Sequence, residues 1–574
     1  MVTIIADGLS TLYVYKASVI VFFITVFGIG FYSIGLFVNH EIDVKERMLI
    51  SIGVGSILVG LIFFPIIVLS SFVGFALQVG GYAILLFAVF ALLKCFWAGE
   101  FMMARSIHVF VTIVVFFFLL VVRLAFLNHI LLPPYSDSPI HYQIINGFLN
   151  PDPGSMSNLS LHTVFSNYYH FGFHSLTTWL TSTTGFGAEN MISFIGQLFL
   201  VVGPISVMSL IYTLTNNISG ALFAGLLAAV GWLMPAYSVN WGKFPALVSI
   251  AVLPAVVSLT LLLLERNIIK RRWFFYGLIL GGITFIHTRI AICLFFIFAS
   301  FFIVGKLQLR KNFGFFQSVR FTFLFLLFMW PLSRPLIDFY NNLPVLITIL
   351  ILIPFAFQSH PSASLGVLIF LAGLSLAMLI PNLFDVGGRT LLDRQFLTMI
   401  LYLPLSLVGG LGFGGLIKKL ASNTLLQRAI SVALVACVFI NLTPRTFLPD
   451  RCCNYFQEND RLAFQWIQEN SSTHTLYFIS TVNDGDRSYG TDAGIWISAL
   501  TKIPTNKLLF NVNWNSINLF DEICPSEGGE AYVYMGGKET SFEDNKLAQQ
   551  QWITSAFQAG EVKIYKISSC TAGM

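Results

Sequence analysis

Charged residues are scarce in this sequence: Asp, Glu, Lys and Arg together make up only 10% of its 574 residues, whereas hydrophobic residues make up 56%. A soluble globular domain carries about 25% charged residues. The composition therefore excludes a soluble globular protein over most of the chain. The 58 phenylalanines and the long apolar runs predict a polytopic α-helical membrane bundle instead.

Cysteine is also scarce, with seven residues in the chain. Three of them lie in apolar segments or at their ends, where cysteine behaves as a small buried hydrophobe. The spacing of the other four is not that of a zinc site, and it allows one or two disulfides if their domain faces an oxidising compartment. The first group is Cys95, Cys293 and Cys437, and the second is Cys452, Cys453, Cys524 and Cys570.

Acidic residues are rare before the C-terminal part of the chain. The last 131 residues, from Pro444, contain 15 Asp and Glu and 10 Lys and Arg, which leaves 12 acidic and 22 basic residues in the first 443. The sequence therefore predicts a transmembrane domain at 1–443 and a small soluble α/β domain at 444–574. In the soluble domain we expect helices at Asp460–Glu469 and through Asn545–Phe557, and strands at Thr475–Ser480, Ala531–Met535 and Val562–Ile567.

The apolar segments run from Leu12–Val38 to Ala429–Leu442, and their lengths predict about fourteen membrane crossings, since one crossing needs roughly 20 residues. If crossings alternate, the loops rich in Lys and Arg all fall on one face, which is predicted to be cytoplasmic. The outer catalytic loop at 128–188, the soluble domain and both termini then lie outside a multi-pass protein of the cell membrane. The N-terminus has no charged n-region and no cleavage site, so the first span is predicted to be an uncleaved anchor.

Polar side chains are concentrated between Asn128 and Gly185. Within this stretch, Asp137 follows a Pro-Pro-Tyr-Ser turn and precedes Ile140–Leu149, whose pattern is that of an amphipathic helix at the membrane interface. His141 lies one helical turn further on, where an imidazole and a carboxylate can share a proton or a metal. We predict that Asp137 and His141 are catalytic. The alternatives are that Asp137 only caps the helix and that the stretch is a solvated connecting loop.

Histidines recur near the end of the same stretch. His170 and His174 are four residues apart, which predicts one face of a helix, and Tyr169 precedes them. Two such histidines suit a metal or an anionic headgroup, although histidines at a membrane interface are also common snorkelling residues. We place Tyr169, His170 and His174 in the substrate site and assign no metal.

Arginines on the predicted outer face are candidates for an anion site. Arg289 follows His287 at the tip of a predicted hairpin or in a broken helix, in apolar surroundings where a guanidinium needs a carboxylate or phosphate partner. Arg389 follows Gly387-Gly388, whose backbone N–H groups can help to bind a phosphate. The predicted substrate-binding set also includes His287, Arg334, Arg394 and Lys243. The alternative partners of the arginines are Asp338, Asp385 and Asp393.

The arrangement resembles the GT-C superfamily of integral-membrane glycosyltransferases, which use polyprenyl-phosphate sugars. The resemblance covers most of the chain and consists of a many-spanning bundle, an outer loop with an acid before an interfacial helix, and a small outer α/β domain. Each motif is short. The motifs are Ser136-Asp137-Ser138-Pro139-Ile140-His141, Tyr168-Tyr169-His170-Phe171-Gly172-Phe173-His174, Asn240-Trp241-Gly242-Lys243-Phe244-Pro245 and Ala463-Phe464-Gln465-Trp466-Ile467-Gln468-Glu469-Asn470.

The resemblance implies transfer of a sugar from a polyprenyl-phosphate-linked donor to a glycan, lipid or protein acceptor. Arginines would hold the phosphate and Asp137 would take the acceptor's proton, so membrane lipids are expected partners and nucleic acid is not. Two features depart from the family: about four spans precede the acidic loop, and Asp137 stands alone where the family often has paired acids. No paired-acid motif therefore supports a divalent cation. No other cofactor is predicted.

Two other classes of function remain open from the sequence. One is a polymerase or ligase of surface polysaccharide, and the other is a transporter or flippase of a lipid-linked substrate. Transporters tend to contain internal repeats and charged residues near the membrane midplane. This sequence contains no strong internal repeat, and its few intramembrane charges are predicted near one side.

The predicted orientation gives a direct test. A cysteine introduced near Asn506 should react with a membrane-impermeant maleimide in intact cells, above the background of the native cysteines, because the soluble domain is predicted to lie outside. A cysteine near Lys270 should be protected. Labelling near Lys270 together with protection near Asn506 would show that the protein has the opposite orientation.

Overall fold

The structure is a computed structural model in which two compact units are distinguished. Unit 1 comprises Met1–Asn128, Ile145–Val239 and Lys243–Leu448, and unit 2 comprises His129–Ile144, Asn240–Gly242 and Pro449–Met574. The described residues are 1–38, 42–74, 76–100, 107–150, 170–265, 269–307, 313–386, 389–440, 442–484, 487–514, 516, 519, 523, 530–538 and 540–568.

Unit 1 is helical apart from a short antiparallel pair, β1 (Asp385–Val386) and β2 (Arg389–Thr390). One helix, α5 (Ser138–Leu149), begins in unit 2 and ends in unit 1. The other helices of unit 1 are α1 (Val2–Val38), α2 (Val44–Val73), α3 (Leu77–Trp97), α4 (Ile107–Leu124), α6 (Gly172–Thr184), α7 (Ala188–Thr215), α8 (Ile218–Val230), α9 (Phe244–Glu265), α10 (Ile269–Ile286), α11 (Ile290–Lys306), α12 (Phe315–Met329), α13 (Ser333–Phe339), α14 (Leu343–Ser359), α15 (Pro361–Leu379), α16 (Arg394–Ile400), α17 (Tyr402–Lys419) and α18 (Thr424–Phe439).

The predicted fold class, a helical membrane bundle followed by a small sheet domain, is confirmed. Within the described part of the chain, nine helices are long and apolar enough to cross a membrane. The other predicted spans coincide with apolar helices of 10–17 residues, which are α8, α10, α11, α14 and α18. The predicted count of about fourteen spans is therefore not confirmed, but the protein is an integral membrane protein.

Small residues allow helices α1 and α2 to approach closely. A Cβ atom built on Gly30 would lie 1.9 Å from the carbonyl oxygen of Ser51, and one built on Gly55 would lie 1.7 Å from that of Val26. Lipid chains are as apolar as the side chains they would replace, so helix association in a membrane depends on close packing rather than on hydrophobic burial. The glycines of this pair supply that packing.

Helix α6 contradicts the prediction that the chain stays in a polar loop until Gly185. Its residues from Gly172 to Thr183 are all buried, and it packs against α2, α3 and α7. Several of its Ser and Thr hydroxyls donate to carbonyls in the preceding turn, which allows them to be buried. The donors and acceptors are Thr177 to Phe173 at 2.9 Å, Thr178 to His174 at 2.7 Å, and Thr183 to Trp179 at 2.7 Å.

Unit 2 contains a six-stranded mixed sheet built from β3 (Leu476–Asp484), β4 (Arg487–Gly490), β5 (Thr505–Leu509), β6 (Ala531–Met535), β7 (Ile553–Ala559) and β8 (Val562–Ile567). Five of the strands follow the order β4-β3-β6-β8-β7, and the sixth, β5, also pairs with β3. β3 is parallel to β5 and β6, whereas β8 is antiparallel to both β6 and β7. The unit also contains the helices α19 (Glu458–Asn470), α20 (Ile497–Thr501) and α21 (Asp544–Ala548).

Alternate residues of the central strands enter two hydrophobic cores, one on each face of this sheet. Tyr532 and Tyr534 of β6 pack in a core with Phe464 of α19, whereas Val533 packs on the opposite face with Tyr565 of β8. Successive side chains of a strand point to opposite faces. Both faces are therefore covered, and this explains why β6 is buried at every position.

The predicted helix through Asn545–Phe557 is wrong. Helix α21 ends at Ala548, and the residues from Ile553 form strand β7. β7 joins β8 through a tight turn at Gly560, whose φ of +57° is in the left-handed region that glycine adopts without a steric penalty. The hairpin pairing overrides the helix propensity of the alanine and glutamine residues nearby.

The entrance to α6 gives a testable packing requirement. A Cβ atom on Gly172 would lie 2.8 Å from the backbone nitrogen of Ile286, so we expect Gly172→Ala to lower the free energy of unfolding by about 1–3 kcal/mol through overpacking. Gly277→Ala is the matched control, since a Cβ there meets nothing within 4 Å. Thermal unfolding of both variants in the same detergent checks this prediction. Equal stability of the two variants would show that the packing of Gly172 against Ile286 accommodates the added methyl group.

Candidate functional site

The backbone around Asp137 forms a hydrogen-bonded turn in unit 2. The N–H of Ser138 donates to the carbonyl of Tyr135 at 3.4 Å, and the Ser138 hydroxyl donates to the carbonyl of Pro134. The N–H of His141 then donates to the carbonyl of Asp137 at 3.3 Å, which places Asp137 at the N-cap position of α5. We call Pro133–His141 the Asp137 turn. It holds a partly exposed carboxylate on a constrained backbone.

His141 is buried and contacts a backbone carbonyl. Its Nε2 atom lies 3.2 Å from the carbonyl oxygen of Gly242, which belongs to the same unit. A carbonyl only accepts hydrogen bonds, so this contact requires Nε2 to carry the proton. The predicted catalytic His141 is therefore placed to orient the Asp137 turn, and Gly242 is close enough that a Cβ there would lie 3.6 Å from the Asp137 Cβ.

Tyrosine rings from distant parts of the chain surround the Asp137 turn. The ring of Tyr135 lies 6.1 Å from that of Tyr455 and 6.5 Å from that of Tyr489, between centroids. The N–H of Tyr135 donates to the carbonyl of Cys453 at 2.9 Å. We call Tyr135, Tyr455 and Tyr489 the tyrosine platform. The sequence carries no local signal that would have identified Tyr455 or Tyr489.

Burial and nearby charges keep the hydroxyl of Tyr455 protonated. Desolvation raises the pKa of Tyr455, and Tyr135, Asp492 and Asp137 raise it further through unfavourable interaction with a phenolate. Asp492 itself is fully buried, and burial raises its pKa although it accepts hydrogen bonds from Gly494, Gly536 and Ser541. The phenol of Tyr455 is thus a hydrogen-bond donor at neutral pH.

Two further features of unit 2 are structural. Asp460 accepts from the Tyr534 hydroxyl at 2.5 Å and from the Gln457 N–H at 2.8 Å, and burial raises its pKa to about 6. Cys452 and Cys453 form a disulfide, whereas the predicted disulfide candidates Cys524 and Cys570 lie outside the described residues.

Unit 1 contains a second group of the predicted residues, centred on Arg289. The Arg289 guanidinium forms an ion pair with Asp393, and its side chain is only 16% exposed. Asp393 also accepts from the N–H of Phe396 at 2.9 Å and thereby caps α16. In the structure Arg289 therefore pairs with a carboxylate, which was the predicted alternative to a phosphate partner.

The ion pairs nevertheless leave an excess of positive charge. Arg394 lies 3.7 Å and Arg334 lies 4.0 Å from the same carboxylate oxygen of Asp338. The Arg289–Asp393 pair is next to this group along the chain, since Asp393 and Arg394 are consecutive residues, and together the pairs contain three arginines and two carboxylates. We call these five side chains the arginine network. Arg389 is on β2, but its side chain and Gly387-Gly388 are outside the described part of the chain.

Histidine and aromatic rings lie beside this network. The His287 ring stacks on Phe396 with centroids 5.5 Å apart, and the His170 ring lies 4.6 Å from that of His287. His174 is fully buried in α6, whereas His170 precedes that helix, so the two do not form the predicted single helical face. Among the described residues, no group of three or more His, Cys, Asp or Glu is placed to hold a metal.

Two more residues were predicted to bind the substrate, Lys243 and Tyr169. Lys243 precedes α9, and its carbonyl accepts from the N–H of Leu247 at 2.9 Å. Tyr169 lies outside the described residues.

Two apolar cavities of about 680 and 660 Å³ lie in unit 1 and share lining residues. Both are lined almost entirely by hydrocarbon side chains, and such volumes are in the range of small-molecule sites. Lys45 and Asn216 line one end of the first cavity. The residues common to both cavities are Thr112, Phe116 and Ile205.

A family model described as a family of unknown function, DUF6541, matches residues 49–332, just under half of the chain. None of the curated proteins matches the chain. Among solved structures, arabinofuranosyltransferase AftD from mycobacteria aligns with a TM-score of 0.29 and 14% identity over 70% of this chain. This chain spans only 37% of that structure. A similarity of this size carries no argument about the activity of the present protein.

Proposed function

We propose that this integral membrane protein is a glycosyltransferase of the GT-C type. It would transfer a sugar from a polyprenyl-phosphate donor to a glycan, lipid or protein acceptor on the outer face of the cell membrane. The observation that carries the proposal is the constrained, partly exposed carboxylate of Asp137 at the head of α5. An ionisable residue that a membrane protein holds in a fixed position is a candidate functional residue.

Asp137 acts as the general base in this proposal. The acceptor hydroxyl oxygen attacks the anomeric carbon of the donor sugar, the bond from that carbon to the phosphate oxygen breaks, and the hydroxyl proton passes to the Asp137 carboxylate. His141 acts as a positioning residue through its contact with Gly242. The rigid turn lowers the entropy that must be lost to align the base with the acceptor.

The arginine network of unit 1 is assigned to the donor's phosphate in this proposal. Negative charge develops on the departing lipid phosphate, and fixed cations stabilise it without reorganisation. The network contains three arginines and two carboxylates, so it retains one net positive charge for an anion. The neighbouring His287 and His170 provide further donors, and Lys243, His174, Tyr169 and Arg389 remain candidate members of the substrate site.

The apolar cavities support a lipid-linked donor. A polyprenyl chain is a hydrocarbon, and a cavity lined by hydrocarbon side chains of described helices receives it without unpaired polar groups. This feature is shared with a flippase of lipid-linked substrates. The position of buried Arg47 favours the enzyme, because it lies in the first turn of α2, away from the helix centre that an ion path would use.

The proposal makes a prediction for Arg289. Arg289→Lys keeps the charge but cannot reproduce the bidentate geometry of a guanidinium on phosphate, so the apparent KM for a polyprenyl-phosphate sugar should rise about 10- to 100-fold. Arg461→Lys, on the exposed face of α19, is the control and should leave KM unchanged. An Arg289→Lys enzyme with an unchanged KM would move the phosphate site elsewhere.

The decisive prediction concerns Asp137. Asp137→Asn retains the shape and N-cap ability of the residue but cannot accept a proton, so turnover should fall by about two to four orders of magnitude while the folded yield stays the same. Asp385→Asn, at an exposed acid of β1, serves as the control. Sugar transfer measured in detergent for both variants tests the assignment, and near-normal transfer by Asp137→Asn would reject it.

A further inference from the structure

Tyr135 has a backbone conformation that tyrosine rarely adopts. Its φ of +69° is in the left-handed region, which it shares among the described non-glycine residues with Asn216 and Lys502. The Cβ of an L-residue makes this region unfavourable by roughly 1 kcal/mol or more, and asparagine and glycine tolerate it best. A strained residue is retained when the surrounding structure holds it there and its side chain is needed.

The backbone of Tyr135 is held by Cys453, and its ring contacts the other two rings of the tyrosine platform. The hydrogen bond from the Tyr135 N–H to the Cys453 carbonyl holds the strained turn. Its ring meets Tyr455 at an interplanar angle of 27° and Tyr489 at 43°. All three side chains are partly exposed. The tyrosine platform is thus a group of partly exposed tyrosine rings packed around Tyr135, which lies two residues before Asp137 in the chain.

The chemistry of the platform selects a class of ligand. Aromatic faces bind apolar C–H groups, while tyrosine hydroxyls need hydrogen-bonding partners. A purely hydrocarbon ligand would offer the Tyr455 hydroxyl no hydrogen-bonding partner. A phosphorylated ligand such as a nucleotide is disfavoured, because residues 444–574 contain 15 acidic and 10 basic side chains. A neutral sugar ring, with C–H groups on its faces and hydroxyls at its edge, fits both requirements.

We propose that the tyrosine platform binds the glycan acceptor, with the face of one sugar ring on Tyr135 and a sugar hydroxyl directed to Asp137. The inference rests on the proposed glycosyltransferase function and narrows its acceptor to a carbohydrate. Tyr455 donates a hydrogen bond to the sugar through the phenol that its surroundings keep protonated. Binding at the platform is non-covalent and precedes the proton transfer.

The strained turn provides a substitution that separates binding from folding. Tyr135→Asn removes the ring while placing a residue that tolerates the left-handed conformation. Lys502→Asn is a matched control, because Lys502 has a φ of +61° in the same unit and is not part of the platform. Both variants should unfold at nearly the same temperature as the unmodified chain.

The test measures sugar binding by the full chain in nanodiscs that contain no glycosidic detergent. Methyl glycosides of several hexoses and pentoses are the probes, with saturation-transfer NMR as the readout. Tyr135→Asn should weaken binding about five- to tenfold, which corresponds to the loss of one aromatic contact, and Lys502→Asn should not change it. Tyr455→Phe should weaken binding through the lost hydroxyl donor.

The outcomes distinguish this inference from the proposed function. Unchanged binding by a folded Tyr135→Asn chain, or no binding of any methyl glycoside by the unmodified chain, would overturn the platform. Binding of sugar 1-phosphates alone would assign it to the donor and overturn the acceptor assignment. Asp137→Asn should still bind the glycosides, because the Asn side-chain oxygen still accepts a hydrogen bond, while transfer falls by about two to four orders of magnitude. Binding by a chain that transfers no sugar under any donor would reject the enzyme while supporting the platform.

Discussion

The structure around Asp137 depends on the burial of a short early segment in the core of the C-terminal sheet domain. Leu132 is buried among Phe464, Tyr477 and Trp496, and Tyr142 packs against the same core. These contacts anchor both sides of the Asp137 turn, while the backbone hydrogen bond to Cys453 fixes its centre. The position of the carboxylate is therefore determined by residues more than 300 positions away in the chain. Without these contacts, Pro133, Pro134 and Pro139 would restrict the backbone of the turn but would not orient it.

The features that sequence reasoning predicted are those with a local cause. Apolar runs located the long helices, and short segments rich in apolar and aromatic residues located strands β6 and β8 at the observed bounds. The extent and burial of helix α6 were missed because hydropathy scores its hydroxyls as exposed polar groups, although a Ser or Thr hydroxyl can bond within its own helix. Strand β7 was missed because its pairing with β8 is decided by the turn at Gly560 and not by its own composition.

The candidate site divides in the same way. The placement of Asp137 ahead of a helix follows from the proline turn, and it could be predicted. The contribution of Tyr455 and Tyr489 depends on long-range packing inside unit 2, which no single sequence displays. The arginines were predicted as a set, but the sharing of Asp338 by Arg334 and Arg394 is a property of the fold. Such pairs hold guanidinium groups in place, and under the proposed function a donor phosphate would compete with the carboxylates for them.

The division of the chain between the two units has a consequence for synthesis. The chain passes between them at five points, which are Asn128–His129, Ile144–Ile145, Val239–Asn240, Gly242–Lys243 and Leu448–Pro449. Leu132 therefore leaves the ribosome long before strand β8, its partner in the core, is made. At about 5–20 residues per second this interval is about 20–90 s. During that time the early segment cannot complete its core, so its apolar side chains depend on chaperones or on the membrane surface for protection.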